Sequence, residues 1–158
     1  MTQVDAELFA SELVFLDIDV EDRTTLFAEL GKRLRELGYI KENWFEAITK
    51  REVDYPTGLA CQAINVAIPH TEPEHLIKPY IAVIKPKQPV LFEAMAHMGN
   101  DVPAQLVVNL GLLAHEDSQV AALQALMACF MNEEACADIL GQTSPEGMVE
   151  AMRKYCAV

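Results

Sequence analysis

Leu26, Leu30, Leu34 and Leu37 fall three and four residues apart, so the clearest signal in the chain is an amphipathic helix over Arg23–Leu37. Asp19 or Asp22 is available to cap its first turn, since a carboxylate accepts from the orphan N–H groups there. Gly38 follows as a stop. Ahead of it, 13–18 (LVFLDI) reads as a strand. Beyond it, Trp44, Phe45 and Ile48 make the apolar stripe of a second helix over about 43–52, and the two helices form a hairpin.

The period then shortens. Residues 64–68 (INVAI) and 80–84 (YIAVI) are short, β-branched runs bounded by prolines, Val90–Phe92 is a further short strand, and 106–113 (LVVNLGLL) is a longer buried one. Helical spacing returns over 118–131, where Val120, Leu123, Leu126, Met127 and Phe130 share a face. Two more helices follow, over 133–140 and 145–155, the last with Pro145 in its tolerant first turn behind a Thr143 or Ser144 cap. No repeat or composition break divides residues 1–158. Helices at both ends of a run of strands predict a single α/β domain built on a mixed sheet covered by helices.

Composition narrows the partners rather than the fold. Twelve Lys plus Arg against 24 Asp plus Glu give a net charge of −12, which argues against nucleic acid or an anionic membrane as a partner. The same field steers in a basic protein, and it also serves solubility. No apolar run approaches the ~18 residues of a membrane span. The N-terminal MTQVDAELFA has no basic region leading into an apolar core, which points to the cytoplasm. Cys61, Cys129, Cys136 and Cys156 have neither CxxC nor zinc-ligand spacing and read as reduced structural thiols.

The chemistry concentrates between Arg51 and Thr71, REVDYPTGLACQAINVAIPHT. The apolar run 64–68 ends on Pro69-His70. Proline lacks a donor and fixes φ, so ladder pairing is expected to stop there and leave His70 at the sheet edge in a defined direction. An imidazole titrating near ~6.5 offers a neutral, nucleophilic nitrogen. Arg51 precedes the Pro56-Thr57-Gly58 turn that leads into the same strand, and its planar fork suits a phosphoryl group. Thr57 offers a hydroxyl, and Gly58 permits close approach of backbone N–H groups to phosphoryl oxygens. Singly, these are a surface histidine, a solvated helix-end charge and a turn. Together they form the equipment of phosphoryl transfer by positioning and electrostatics.

The words RE…PTGL…NVAIPHT resemble the active-site segment of the enzyme IIA domains of the fructose–mannitol class, in the bacterial phosphoenolpyruvate-dependent sugar phosphotransferase system. Tyr55-Pro56-Thr57-Gly58 resembles the galactitol branch in particular. The resemblance implies a mixed parallel and antiparallel sheet flanked by helices on both faces. It implies that His70 is phosphorylated transiently, receiving the group from the carrier protein HPr and passing it to a cysteine of a cognate enzyme IIB, with Arg51 beside it. No cofactor is implied. Many relatives carry a second histidine early in the helix after the long strand; alignment on Leu123 and Leu126 puts Gln119 there, and His115 lies four residues too early. Gln119 retains a hydrogen-bond donor without the positive charge.

Two other readings compete. HTEPEH, from His70 to His75, invites a metal-dependent enzyme, although Pro73 between the histidines opposes a shared helical face. Relatives of the module also act as regulators that sense phosphorylation state without feeding a transporter. His97 reads as loop surface or as part of a docking rim, and Leu59, Ile68 and Met95 are candidates for an apolar docking patch.

Overall fold

The computed structural model describes residues 6–113 and 116–156, with the side chains of residues 6 and 116–119 outside that description. Its centre is a five-stranded sheet: β1 (Phe9–Phe15), β2 (Gly58–Ala60), β3 (Asn65–Ala67), β4 (Tyr80–Ile84) and β7 (Leu106–Gly111), in the order β1-β4-β7-β3-β2. The β1–β4 and β3–β7 pairs are parallel, and β4–β7 and β2–β3 are antiparallel. A separate ribbon pairs β5 (Val90–Phe92) with β6 (Val102–Ala104). The helices are α1 (Arg23–Leu37), α2 (Trp44–Asp54), α3 (Glu116–Phe130), α4 (Glu133–Leu140) and α5 (Pro145–Cys156).

Both faces of the sheet are covered at its centre, which is why β4 and β7 are buried along their whole length rather than on alternate residues. Tyr80, Ala82 and Ile84 of β4 pack with Leu26, Leu30, Leu34, Trp44 and Ile48 of the α1–α2 hairpin. Ile81 and Val83 point the other way, into a cluster with Leu126 and Phe130 of α3, Ile139 of α4 and Met148 and Met152 of α5. The expected mixed sheet with helices on both faces is therefore observed. Asp22 is the cap of α1, its Oδ1 accepting from Thr25 N at 2.8 Å, and Gly38 ends the helix at φ 84°. Ser144 Oγ accepts from Gly147 N at 3.1 Å in the first turn of α5. No helix among the described residues is long and apolar enough to cross a membrane.

Several boundaries differ from the periodic reading. β1 begins at Phe9, four residues early, and ends at Phe15. Phe9 lies opposite Ile81 but Val14 opposite Val83, so a bulge throws Ser11 and Glu12 outward and hides the alternation. Strands β2 and β6 have no counterpart in that reading: β2 is Gly-Leu-Ala, with no β-branched residue, and β6 carries Pro103, which a two-stranded ribbon tolerates. The run 64–68 yields only Asn65–Ala67 as a strand, and 106–113 ends at Gly111.

Candidate functional site

The site forms where the C-terminal end of β3 meets the end of α2. His70 is not at a lateral edge: β3 lies between β2 and β7, and pairing with β7 resumes beyond the proline, as a parallel bridge between His70 and Leu110. Pro69 contributes the missing link through its carbonyl. That oxygen accepts from Leu110 N at 3.1 Å and from the Asn109 Nδ2 amide at 2.9 Å. Asn109, buried in the middle of β7, in turn accepts from the Tyr80 hydroxyl at 2.6 Å. Gly111 is required here, because a Cβ would stand 2.1 Å from Cε1 of Tyr80. The sequence signal for this chain was the lone amide inside LVVNLGLL, an apolar run with one residue that needed partners.

A second buried support comes from α2. Trp44, Ile48 and Glu52 share its inward stripe, so Glu52 is buried, only 2% exposed. Its carboxyl accepts from Thr57 N at 2.6 Å and from the Thr57 hydroxyl at 2.9 Å. The same hydroxyl oxygen accepts from Ile68 N at 3.2 Å. Burial pushes the Glu52 carboxyl up to about 7, against the pull of the Thr57 donors. The expected free hydroxyl at Thr57 is therefore already engaged on both sides, tying the strand before His70 to α2. Gly58 is likewise committed to the protein: its N–H donates to the Glu93 carbonyl at 3.0 Å, and a Cβ would lie 2.6 Å from that oxygen. Glu52 was not singled out from sequence, although the i, i+4, i+8 spacing from Trp44 pointed inward to it.

His70 Nδ1 lies 3.0 Å from the Ile68 carbonyl oxygen. A carbonyl only accepts, so Nδ1 carries the proton and Nε2 keeps its lone pair. Burial holds the imidazole below its usual pKa; Arg51 adds to that depression, while the Ile68 hydrogen bond and Glu72 oppose it. Neutral imidazole is thus the form at neutral pH. Arg51, in the last turn of α2, sets Nη2 3.5 Å from His70 Nε2. Its Nη1 donates to Glu72 Oε1 at 2.5 Å, and its plane lies over the Tyr55 ring, 5.3 Å from the centroid.

A cleft of about 370 Å³ opens over the imidazole, lined by His70, Asp54, Tyr55, Pro56, Thr57 and the turn Met95–His97. Ala96 and His97 hold positive φ, 59° and 55°, which is unfavourable for side chains with a Cβ. His97 thus borders the His70 cleft, as does half-buried Met95, whereas Ile68 is wholly buried core and Leu59 packs on the core. Tyr55 (67% exposed) and Met98 (79% exposed) are open apolar surfaces beside these elements. Gln119 falls within α3, but its side chain, like the whole of His115, lies outside the described residues.

The metal reading loses its geometry. His70 Nε2 faces a guanidinium, while His75 Nε2 is directed to Glu74 at 3.6 Å and Glu72 at 3.9 Å. Among the described residues no group of three His, Cys, Asp or Glu side chains is placed to hold a metal ion.

The chain is similar to known proteins along most of its length. Residues 7–155 match the family model described as "Phosphoenolpyruvate-dependent sugar phosphotransferase system, EIIA 2". The galactitol-specific EIIA component of Escherichia coli (strain K12) is 27% identical over 139 residues, 87% of this chain and 90% of that protein. The solution structure of the mannitol-specific cryptic phosphotransferase enzyme IIA from Escherichia coli is 25% identical, with a TM-score of 0.68 over 94% of this chain and 97% of that one. The enzyme IIAMTL complex with phosphorylated enzyme IIBMTL from Escherichia coli matches at a TM-score of 0.71 and 20% identity, over 92% and 96% of the two chains.

Proposed function

Since the chain belongs to the EIIA type 2 family of the phosphoenolpyruvate-dependent sugar phosphotransferase system, we propose that it carries a phosphoryl group on His70 Nε2, taken from phospho-HPr and passed to a cysteine of a cognate enzyme IIB. The observation that carries this reading is the commitment of Nδ1 to the Ile68 carbonyl, which leaves the Nε2 lone pair beside the Arg51 guanidinium.

In the first transfer, that lone pair forms the new N–P bond. The P–N bond of the donor's phosphohistidine breaks, and its electron pair stays on the donor nitrogen. The His70 ring gains positive charge, which the Nδ1–H hydrogen bond to Ile68 stabilises. Arg51 meets the phosphoryl oxygens where charge is greatest. In the second transfer, a partner thiolate forms an S–P bond and the N–P pair returns to Nε2, so neither step requires a net proton. Thr57 acts here through position, holding Ile68 N–H and Glu52.

Each partner must reach the same imidazole, and the cleft rim of Tyr55, Met95 and His97 is the surface it meets. The galactitol-specific relative supports galactitol or a related polyol as the sugar of the pathway. The test is intact mass after incubation with phosphoenolpyruvate, enzyme I and HPr. One acid-labile phosphoryl adduct is expected on the wild type, and none on His70→Ala with its fold retained; an adduct on the variant overturns the assignment.

A further inference from the structure

Arg51 already has a carboxylate partner in the resting protein, and that partner is the second residue after the histidine. Nη1 of the guanidinium donates to Glu72 at 2.5 Å while Nη2 waits at 3.5 Å from His70 Nε2. Glu72 is fixed by its backbone rather than by chance. Thr71, next to it, is 1% exposed and donates its hydroxyl to the Glu72 carbonyl at 3.2 Å. The first amide beyond the turn Pro73–His75 is also tied down, Leu76 N donating to Pro73 O at 3.0 Å, and His75 N donates to Glu72 O at 3.2 Å. Burial raises the Glu72 carboxyl, but its own backbone N–H and Arg51 outweigh that effect and hold it below the usual range, so it is ionised.

The charges then sum in a particular way. Before phosphorylation, guanidinium and carboxylate cancel beside a neutral ring. A phosphoryl group on Nε2 occupies the space toward Nη2 and adds roughly −1.5 to −2 charge, by analogy with other phosphorylated side chains. One guanidinium then has two claimants.

We propose that Glu72 is a positioning residue that competes with the phosphoryl group for Arg51, keeping the phosphohistidine poised for onward transfer. In the resting state the carboxylate holds Nη2 beside the nucleophilic nitrogen. After transfer, Arg51 turns its donors to the phosphoryl oxygens, and the released carboxylate repels them. The phosphorylated form is thereby less stable than an uncontested arginine would make it, and the group leaves more readily for a thiolate.

This inference rests on His70 being the phosphorylated residue, and the experiment separates the two. The equilibrium between phospho-HPr and this protein is measured by intact mass for wild type, Glu72→Gln and Glu72→Asp, at low and high salt, with thermal melting as a check of the fold. Removing one carboxylate charge at this range, half exposed to solvent, shifts the equilibrium toward the phosphorylated protein by about three- to tenfold at low salt. The shift shrinks at high salt, as a charge effect must, and Glu72→Asp restores part of the wild-type value. A merely structural role lowers the melting temperature and leaves the equilibrium in place. An unchanged equilibrium in Glu72→Gln, with His70 phosphorylated, overturns the role of Glu72 alone. Absence of phosphorylation in the wild type overturns the carrier reading and this inference with it.

Discussion

Two sets of polar groups hold His70, and they are built differently. Behind it, Tyr80, Asn109, Thr57 and Glu52 are all buried, and their hydrogen bonds run from side chain to side chain until they reach backbone groups at Ile68 and Pro69. In front of it, Arg51 and Glu72 are charged, with side chains 28% and 48% exposed. Buried, satisfied groups are costly to disturb and therefore fix where the ring stands. Half-exposed charges cost little to rearrange and therefore suit a group that must come and go. The contrast separates placement of the imidazole from its chemistry.

Changes on the two sides break that separation in different observables. Arg51→Ala, in front, is expected to slow phosphoryl transfer by roughly 10²–10³-fold, the usual scale for one charge-stabilising donor, while urea denaturation detects a change below about 1 kcal/mol. Equal losses in rate and stability erase the distinction. Glu52→Gln, behind, tests the buried carboxyl. Its folded pKa is raised from 4.5 to about 7, so its stabilising contribution is complete below pH 4.5 and is lost as the pH rises through 7. The stability of wild type relative to Glu52→Gln therefore falls by about 3 kcal/mol between pH 4 and pH 8. A flat difference across that range shows that the carboxyl is not perturbed.

Smaller effects sharpen the picture. Asn109→Leu leaves the Tyr80 hydroxyl unpaired and takes one of two donors from Pro69, at a cost of about 2 kcal/mol in denaturant unfolding. Its transfer rate should fall only as far as the ring is displaced, which a crystal structure of the variant would reveal. Ala96→Gly, at the cleft rim, removes the penalty of φ 59° and raises stability by about 1 kcal/mol. No gain there means that the turn relaxes in solution.

Sequence reading went further on the exposed side of the site than on the buried one. Arg51 and His70 are charged or titratable residues beside turn signals, and their juxtaposition survives in the geometry. The support behind them was illegible because it depends on strand order. Asn109 meets Pro69 only because β7 and β3 run parallel side by side, and no local pattern states which strands neighbour each other. In the fold, α1, β4, β5 and α4 carry periods long enough or runs compact enough to read directly. β2, which has no β-branched residue, and β6, which Pro103 interrupts, do not, and the bulge in β1 scrambles its alternation. Thr57 and Gly58 were read for what their atoms can offer a ligand; the structure shows those atoms bonded to Glu52, Ile68 and Glu93.

The central claim is that Nε2 of His70 takes the phosphoryl group while Nδ1–H stays on the Ile68 carbonyl. Nitrogen-15 NMR of the His70 ring, before and after incubation with phosphoenolpyruvate, enzyme I and HPr, tests it directly. The account predicts a protonated Nδ1 in both states and coupling to phosphorus at Nε2 after the reaction. Coupling at Nδ1, or a His70 ring unchanged while another histidine acquires phosphorus, contradicts it.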